Sequence, residues 1–216
     1  MAFDVLDEHE QGDLVQKWLR ENAMSIVIGV ALGLLLIFGW QQWHAHRGAH
    51  RLDAVTQYGV FTQALDKKDD AGAKQIADKL QSDFADTPYA TFSALRLADA
   101  SEAKGDAAGA QAMLENAYSH AGGDAMKTLA GLYLARNEIA RKKADDALKL
   151  LDSLAPLGYT ALRDELRGDA LTALGRKDEA RTAYTDALTN LDPNAPTRSY
   201  IEMKRNDLGG AEKKGS

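Results

Sequence analysis

The sequence predicts an all-α protein: a single N-terminal transmembrane helix, then an α-solenoid of antiparallel helix pairs, then a C-terminal capping helix. Three observations carry this. An uncharged apolar run lies near the N-terminus, three later segments superpose with small residues at matching positions, and no stretch suggests strands.

The apolar run comes first. From Asn22 to His46 there is no Asp, Glu, Lys or Arg, and the dense part, Ala23 to Trp40, is 18 residues long. That is the lower edge of what crosses a hydrocarbon core at a rise of about 1.5 Å per residue. Ten of the 18 are Ile, Val, Leu or Phe. At roughly −0.3 to −0.6 kcal/mol each they favour insertion by about 3–6 kcal/mol. The run is apolar all round, whereas a surface helix of a soluble protein is apolar on one face. Trp40 and Trp43 follow as membrane-interface anchors, since indole rings favour the headgroup level.

A cleaved signal would need a basic start and a small-residue cleavage site. Instead the first 21 residues carry Asp4, Asp7, Glu8, Glu10, Asp13 and Glu21 against Lys17 and Arg20, and bulky QQWHAHR follows the run. The expected division is therefore a short acidic N-terminal segment over 1–21, the transmembrane helix over 22–43, a juxtamembrane linker over 44–51, a repeat domain over 52–208 and a disordered tail over 209–216. Lys17 and Arg20 on one side balance Arg47 and Arg51 on the other, so charge counting does not orient the span.

The net charge of the 216 residues is −6, with no basic face, which argues against nucleic-acid binding. There is no cysteine, hence no disulfide and no thiolate metal site, and either redox compartment would suit the chain.

Beyond the span, ALRLADASEAKGDAAGAQAMLENA from Ala94 aligns with GLYLARNEIARKKADDALKLLDSL from Gly131 and DELRGDALTALGRKDEARTAYTDA from Asp164. Leu97, Leu134 and Arg167 correspond, followed by small Ala98, Ala135 and Gly168. Twelve positions on come Ala110, Ala147 and Ala180, at spacings of 37 and 33 residues, then Leu114, Leu151 and Tyr184. Small residues where two helices of a pair cross permit close approach, and larger apolar residues around them fill the seams to the next pair. The turns fall at Gly105–Asp106, Lys142–Lys143 and Gly175–Arg176, two of them with the glycine that a helix end prefers. This pattern resembles the tetratricopeptide repeat.

An additional, degenerate pair is expected from Leu52 to about Leu65 and from Asp70 to about Phe84. Pro88 marks a helix start at its first turn, and Pro193 to Pro196 breaks the array. TRSYIEMKRNDL then forms the capping helix, with Thr197 as its N-cap.

The acidic stub leading into LVQKWLRENAMSIVIGVALGL, the GWQQW stretch with Gly39, Trp40 and Trp43, the segment LRGDAL from Leu166 to Leu171 and a last helix near MKRNDL complete a further likeness. The whole chain resembles the YfgM family of bacterial inner-membrane proteins, the ancillary subunits of the SecYEG translocon. The resemblance implies a cytoplasmic N-terminus, a periplasmic repeat domain, and a non-enzymatic adaptor beside SecYEG. It also implies PpiD, a membrane-anchored chaperone resembling prolyl isomerases, as a partner, with secreted and outer-membrane polypeptides as clients.

The residues add candidates of their own. Ser25, Gly29 and Gly33 form a small-residue stripe for transmembrane helix packing, against a translocon or chaperone helix or a second copy. On the inner wall of the solenoid, Leu95, Asp99, Glu102, Leu132, Arg136, Leu162, Glu165 and Asp169 are expected to be exposed and to hold a partner's segment by groove burial with a charged rim. His46 and His50 lie one helical turn apart with Asp53 beyond, but a structural metal site wants four ligands, and Gly48 argues for a helix break. No metal or cofactor is expected, and no nucleophile motif or phosphate loop is present. Carboxylates such as Asp145, four residues before Lys149, read as solvated helix pairs. The alternative to the adaptor is a self-associating inner-membrane scaffold, a homo-oligomer built through Gly29 and Gly33.

Overall fold

The computed structural model describes residues 8–209 apart from Pro156, with side chains described from Gly12 onward. Residues 1–7 of the acidic segment and 210–216 of the tail lie outside the described residues. The described residues form helices α1 (Glu8–Asp66), α2 (Asp70–Asp83), α3 (Pro88–Ala103), α4 (Ala107–Ser119), α5 (Asp124–Ala140), α6 (Ala144–Ser153), α7 (Thr160–Ala173), α8 (Lys177–Asn190) and α9 (Arg198–Asp207), with no strand among them. The chain divides into two units after His50.

In the first unit, α1 carries an apolar stretch long enough to cross a membrane, with its side chains exposed. The helix is unbroken through residues 44–51, so the expected linker is helical. Gly48 has open space around it. A helical glycine costs only about 1 kcal/mol, too little to interrupt a ladder of hydrogen bonds continuing on both sides.

The second unit holds the end of α1 and the helices α2 to α9. Each of α3 to α8 packs on the next, and α3, α5 and α7 also touch one another in order, so the A helices line one wall. The repeat is written most plainly in the turns. Lys68, Gly105, Lys142 and Gly175 all have positive φ, at 59°, 83°, 63° and 75°. At each turn the same two backbone bonds recur. Asp69 N–H donates to Ala64 O (2.9 Å), Asp106 to Ser101 (2.9 Å), Lys143 to Glu138 (2.8 Å) and Arg176 to Leu171 (2.9 Å). The left-handed residues themselves donate to Leu65, Glu102, Ile139 and Thr172 at 2.9–3.0 Å. These are Schellman closures, which satisfy the last carbonyls of a helix. Glycine adopts positive φ freely, and Lys68 and Lys142 do so at a cost.

The helix starts after these turns are not alike. Asp69 and Asp106 cap α2 and α4 by accepting from Gly72 N–H (3.0 Å) and Gly109 N–H (2.9 Å). Lys143 and Arg176 make no side-chain cap. Thr197 occupies the N-cap position of α9 but makes no side-chain cap bond either, because its backbone is already helical at φ −80°, ψ −11°.

The crossing points show compensated sizes. Buried Ala98 shares a cluster with Leu114, and buried Ala135 with Leu151. At the third crossing a Cβ on Gly168 would stand 2.4 Å from the Tyr184 ring, so the larger partner requires the smaller one. The first crossing reverses the order, with Phe61 and Ala77 at these positions in one buried cluster. Each Leu so buried contributes about 1.5–3 kcal/mol.

Candidate functional site

The inner wall does not present all the expected residues. Leu95 and Leu132 are core residues, 4% and 1% exposed, in the clusters between α3, α4 and α5 and between α5, α6 and α7. They are withdrawn from the groove because they lie on the faces of α3 and α5 that pack into these clusters between repeats. Leu162 is half-buried and packs against the second of these clusters.

Asp99, Glu102 and Arg136 are exposed on α3 and α5. Although exposed, Asp99 is partly desolvated by its neighbours on the wall, and this, with Glu102 nearby, pushes its carboxyl above the ordinary value, against the opposing pull of Arg136 and Arg96. Asn137, buried on α5, donates from Nδ2 to Glu102 Oε1 at 2.5 Å, which ties the two A helices together. Arg136 also lies over the Tyr133 ring, 5.7 Å from its centroid.

At the far end of the wall, Glu165 and Asp169 are already engaged. Lys204 of α9 donates to Glu165 Oε1 at 2.8 Å and to Asp169 Oδ2 at 2.9 Å, and its ammonium lies 4.6 Å from the Tyr200 ring centroid. Asp169 Oδ1 accepts from the Tyr184 hydroxyl at 2.7 Å. Burial opposes the Lys204 charge, but the bonds from Asp169 and Glu165 outweigh it and hold the ammonium above its ordinary value. Burial likewise pushes the Tyr184 phenol up. Ile201 and Leu208 anchor α9 in the cluster shared with α7 and α8. The capping helix therefore closes the last repeat with a basic side chain set between two acids.

Sequence reasoning missed two features here. Tyr58, in register with Leu95 and Leu132, gathers Tyr89 (5.4 Å between centroids) and Phe92 (6.3 Å) into a half-buried aromatic group at the start of the wall. The repeat spacing carried back one unit would have found it. Arg167, which departs from the apolar pattern, pairs with Asp152 of α6. Lys149 pairs with Asp146 at 3.6 Å, three residues before it, and not with Asp145 as expected.

In the first unit, Ser25, Gly29 and Gly33 follow one another turn by turn along α1, and nothing lies within 4 Å of a Cβ built on either glycine. Trp40 and Trp43 are exposed, 5.6 Å apart between centroids, and Arg47 lies 4.1 Å from the Trp43 centroid. Among the described residues no three His, Cys, Asp or Glu side chains are grouped so as to hold a metal ion.

The fold and its wall define a class of protein: tetratricopeptide-repeat-like, non-enzymatic, a protein-interaction fold carried with one apolar N-terminal helix. The family described as Tetratricopeptide repeat-like domain matches residues 16–210. The chain is 30% identical over 204 residues to a protein of Escherichia coli (strain K12) named ancillary SecYEG translocon subunit, covering 94% of this chain and 97% of that one. It is 26% identical over 208 residues to a protein of the same name from Haemophilus influenzae, covering 96% of this chain and 100% of that one. The chain belongs to the YfgM family.

Proposed function

We propose that this protein is a single-pass inner-membrane adaptor that attaches to the SecYEG translocon and recruits other polypeptides through its repeat wall. The observation that carries the reading is co-extension: the likeness to two proteins named for the translocon runs through the apolar helix and every repeat, not the repeats alone. The N-terminal segment lies in the cytoplasm and the repeat domain in the periplasm, where a PpiD-like chaperone and secreted or outer-membrane clients are its partners. Residues 22–43 span the membrane, Trp40 and Trp43 sit at its outer interface, and Ser25, Gly29 and Gly33 are the face offered to another transmembrane helix. Asp99, Glu102 and Arg136 are the exposed part of the wall that meets a partner's segment, and half-buried Leu162 on α7 contributes apolar surface to it.

Affinity isolation of the full chain from mildly solubilised membranes, with crosslinking, tests this. Channel subunits and a periplasmic chaperone are expected in the eluate, and Arg136→Glu is expected to reduce the chaperone or client share without releasing the channel. Recovery of self-crosslinks alone would replace the adaptor with the self-associating scaffold. A reporter fused after Ser216 that is active only in the cytoplasm would reverse the topology.

A further inference from the structure

The C-terminal end of the apolar stretch in α1 carries a notch that the function proposed above does not use. Gly39 forms its floor, since a Cβ built there meets nothing within 4 Å. Leu35 and Leu36 stand below it and Trp40 and Trp43 above it, around a volume of about 430 Å³. That lies within the about 300–1,000 Å³ typical of small-ligand sites. Arg47 follows one turn after Trp43, ~6 Å further along the same helix. Its guanidinium carbon lies 4.1 Å from the Trp43 ring centroid.

We infer that this end of α1 holds one anionic phospholipid, with an acyl chain in the Gly39 notch and the phosphodiester on Arg47. The inference rests on reading α1 as a membrane span. That reading sets Leu35 and Leu36 in hydrocarbon and the indoles at the headgroup level, so Arg47 falls among the phosphates. Notch and guanidinium follow one another along the helix, as chain and headgroup do in a lipid standing beside it. A second helix suits the notch poorly. Helices approach through a row of small residues, whereas Gly39 stands between leucines and indoles. At about 100° per residue it also lies about 80–120° round the helix from Gly29 and Gly33, so a helix docked on those two leaves the notch open. Charge selects the headgroup. From Asn22 to Leu52 the sequence has no Asp or Glu, and side chains pair along a helix over only three or four residues. The helix thus offers Arg47 no counter-charge, and offers a headgroup ammonium no carboxylate. Trp43 is faced by Arg47, and Trp40 by His44 at 4.5 Å between centroids, which leaves a headgroup cation no indole of its own. A phosphodiester does find a partner, since its oxygens match the guanidinium fork.

Fluorescence quenching by brominated lipid tests this. A full chain carrying Trp18→Phe keeps Trp40 and Trp43 as reporters and is reconstituted in phosphatidylcholine vesicles. A minor fraction of the lipid is replaced by acyl-brominated phosphatidylglycerol or, in parallel, by acyl-brominated phosphatidylcholine. Phosphatidylglycerol is expected to quench several-fold more strongly at equal fraction. Arg47→Gln should bring the two lipids level, and Gly39→Leu, which fills the notch, should remove most of the excess quenching. Arg51→Gln, one turn beyond Arg47, should leave the preference largely in place. Equal quenching by the two lipids, or a preference that survives Arg47→Gln, overturns the inference. A preference untouched by Gly39→Leu, or lost equally in Arg51→Gln, overturns it in favour of diffuse attraction to a basic surface. The span is judged by the same spectra. Strong but equal quenching by both lipids sinks this inference alone, whereas indoles quenched by dissolved iodide and by neither lipid sink the span with it.

Discussion

The middle of the helix-A wall and its C-terminal end use one register position in opposite ways. In the middle, Leu95 and Leu132 are sealed between neighbouring repeats. At the end, Glu165 stands in that register, and α9 supplies Lys204 to it and to Asp169. A position between two A helices is dehydrated on both sides, so it takes apolar atoms or a polar group that finds a partner there, as Asn137 does in Glu102. A position at the last A helix keeps one side open, so a carboxylate survives there if a cation reaches it. Whether a wall residue can meet a partner thus depends on what stacks beside it more than on its own type.

The largest test of that contrast is Leu132→Ala, expected to cost about 2–5 kcal/mol, read as a lowered thermal midpoint by circular dichroism. A loss under about 1 kcal/mol would place Leu132 at the surface after all. Next, Gly168→Ala should cost about 1–3 kcal/mol by overpacking against Tyr184. Adding Tyr184→Leu recreates the Ala–Leu pairing of the middle repeats and should recover most of it. If it does not, the size compensation is not the reason for the glycine.

Lys204→Met leaves two half-buried carboxylates without their cation and should cost about 1–3 kcal/mol. The triple change with Glu165→Leu and Asp169→Leu should restore much of that loss, as apolar replacement of an ion cluster often does. The pH dependence has a definite sign. Lys204 and Tyr184 both hold their protons more firmly when folded than when unfolded. Their contribution is complete below the unfolded values, and it is lost as pH rises through the folded ones, so stability should fall above about pH 10. In Lys204→Met that alkaline fall should be shallower, which a melting series across roughly pH 8–11 would read. The smallest expected effect is at a turn. Lys142→Gly should stabilise by about 0.5–1 kcal/mol, since glycine relieves the positive φ there. A loss instead would mean the lysine side chain contributes more than its backbone costs.

Much of the fold was legible because its determinants are local and periodic. Ala98, Ala135 and Gly168 mark the crossings by recurring at the repeat spacing, while Gly105 and Gly175 at the turns and Pro88 at a helix start act through the backbone within a turn or two of themselves. The site was less legible. Arg167 with Asp152 and Lys204 with Glu165 and Asp169 join residues that no helical periodicity brings together. Lys68 and Lys142 adopt a glycine's conformation without a glycine's signature, because closing the helix end on its own carbonyls outweighs the strain of a Cβ.

By itself, then, the amino-acid order determined that this chain is a long apolar helix followed by paired helices in a fixed register. Hydrophobic period and turn chemistry act over a few residues, and the small crossing residues recur at the repeat spacing. Only the tertiary structure decided which wall positions are shut and which are open. Burial is a property of neighbours, and the neighbours of Leu132 or Glu165 are set by how one repeat stacks on the next.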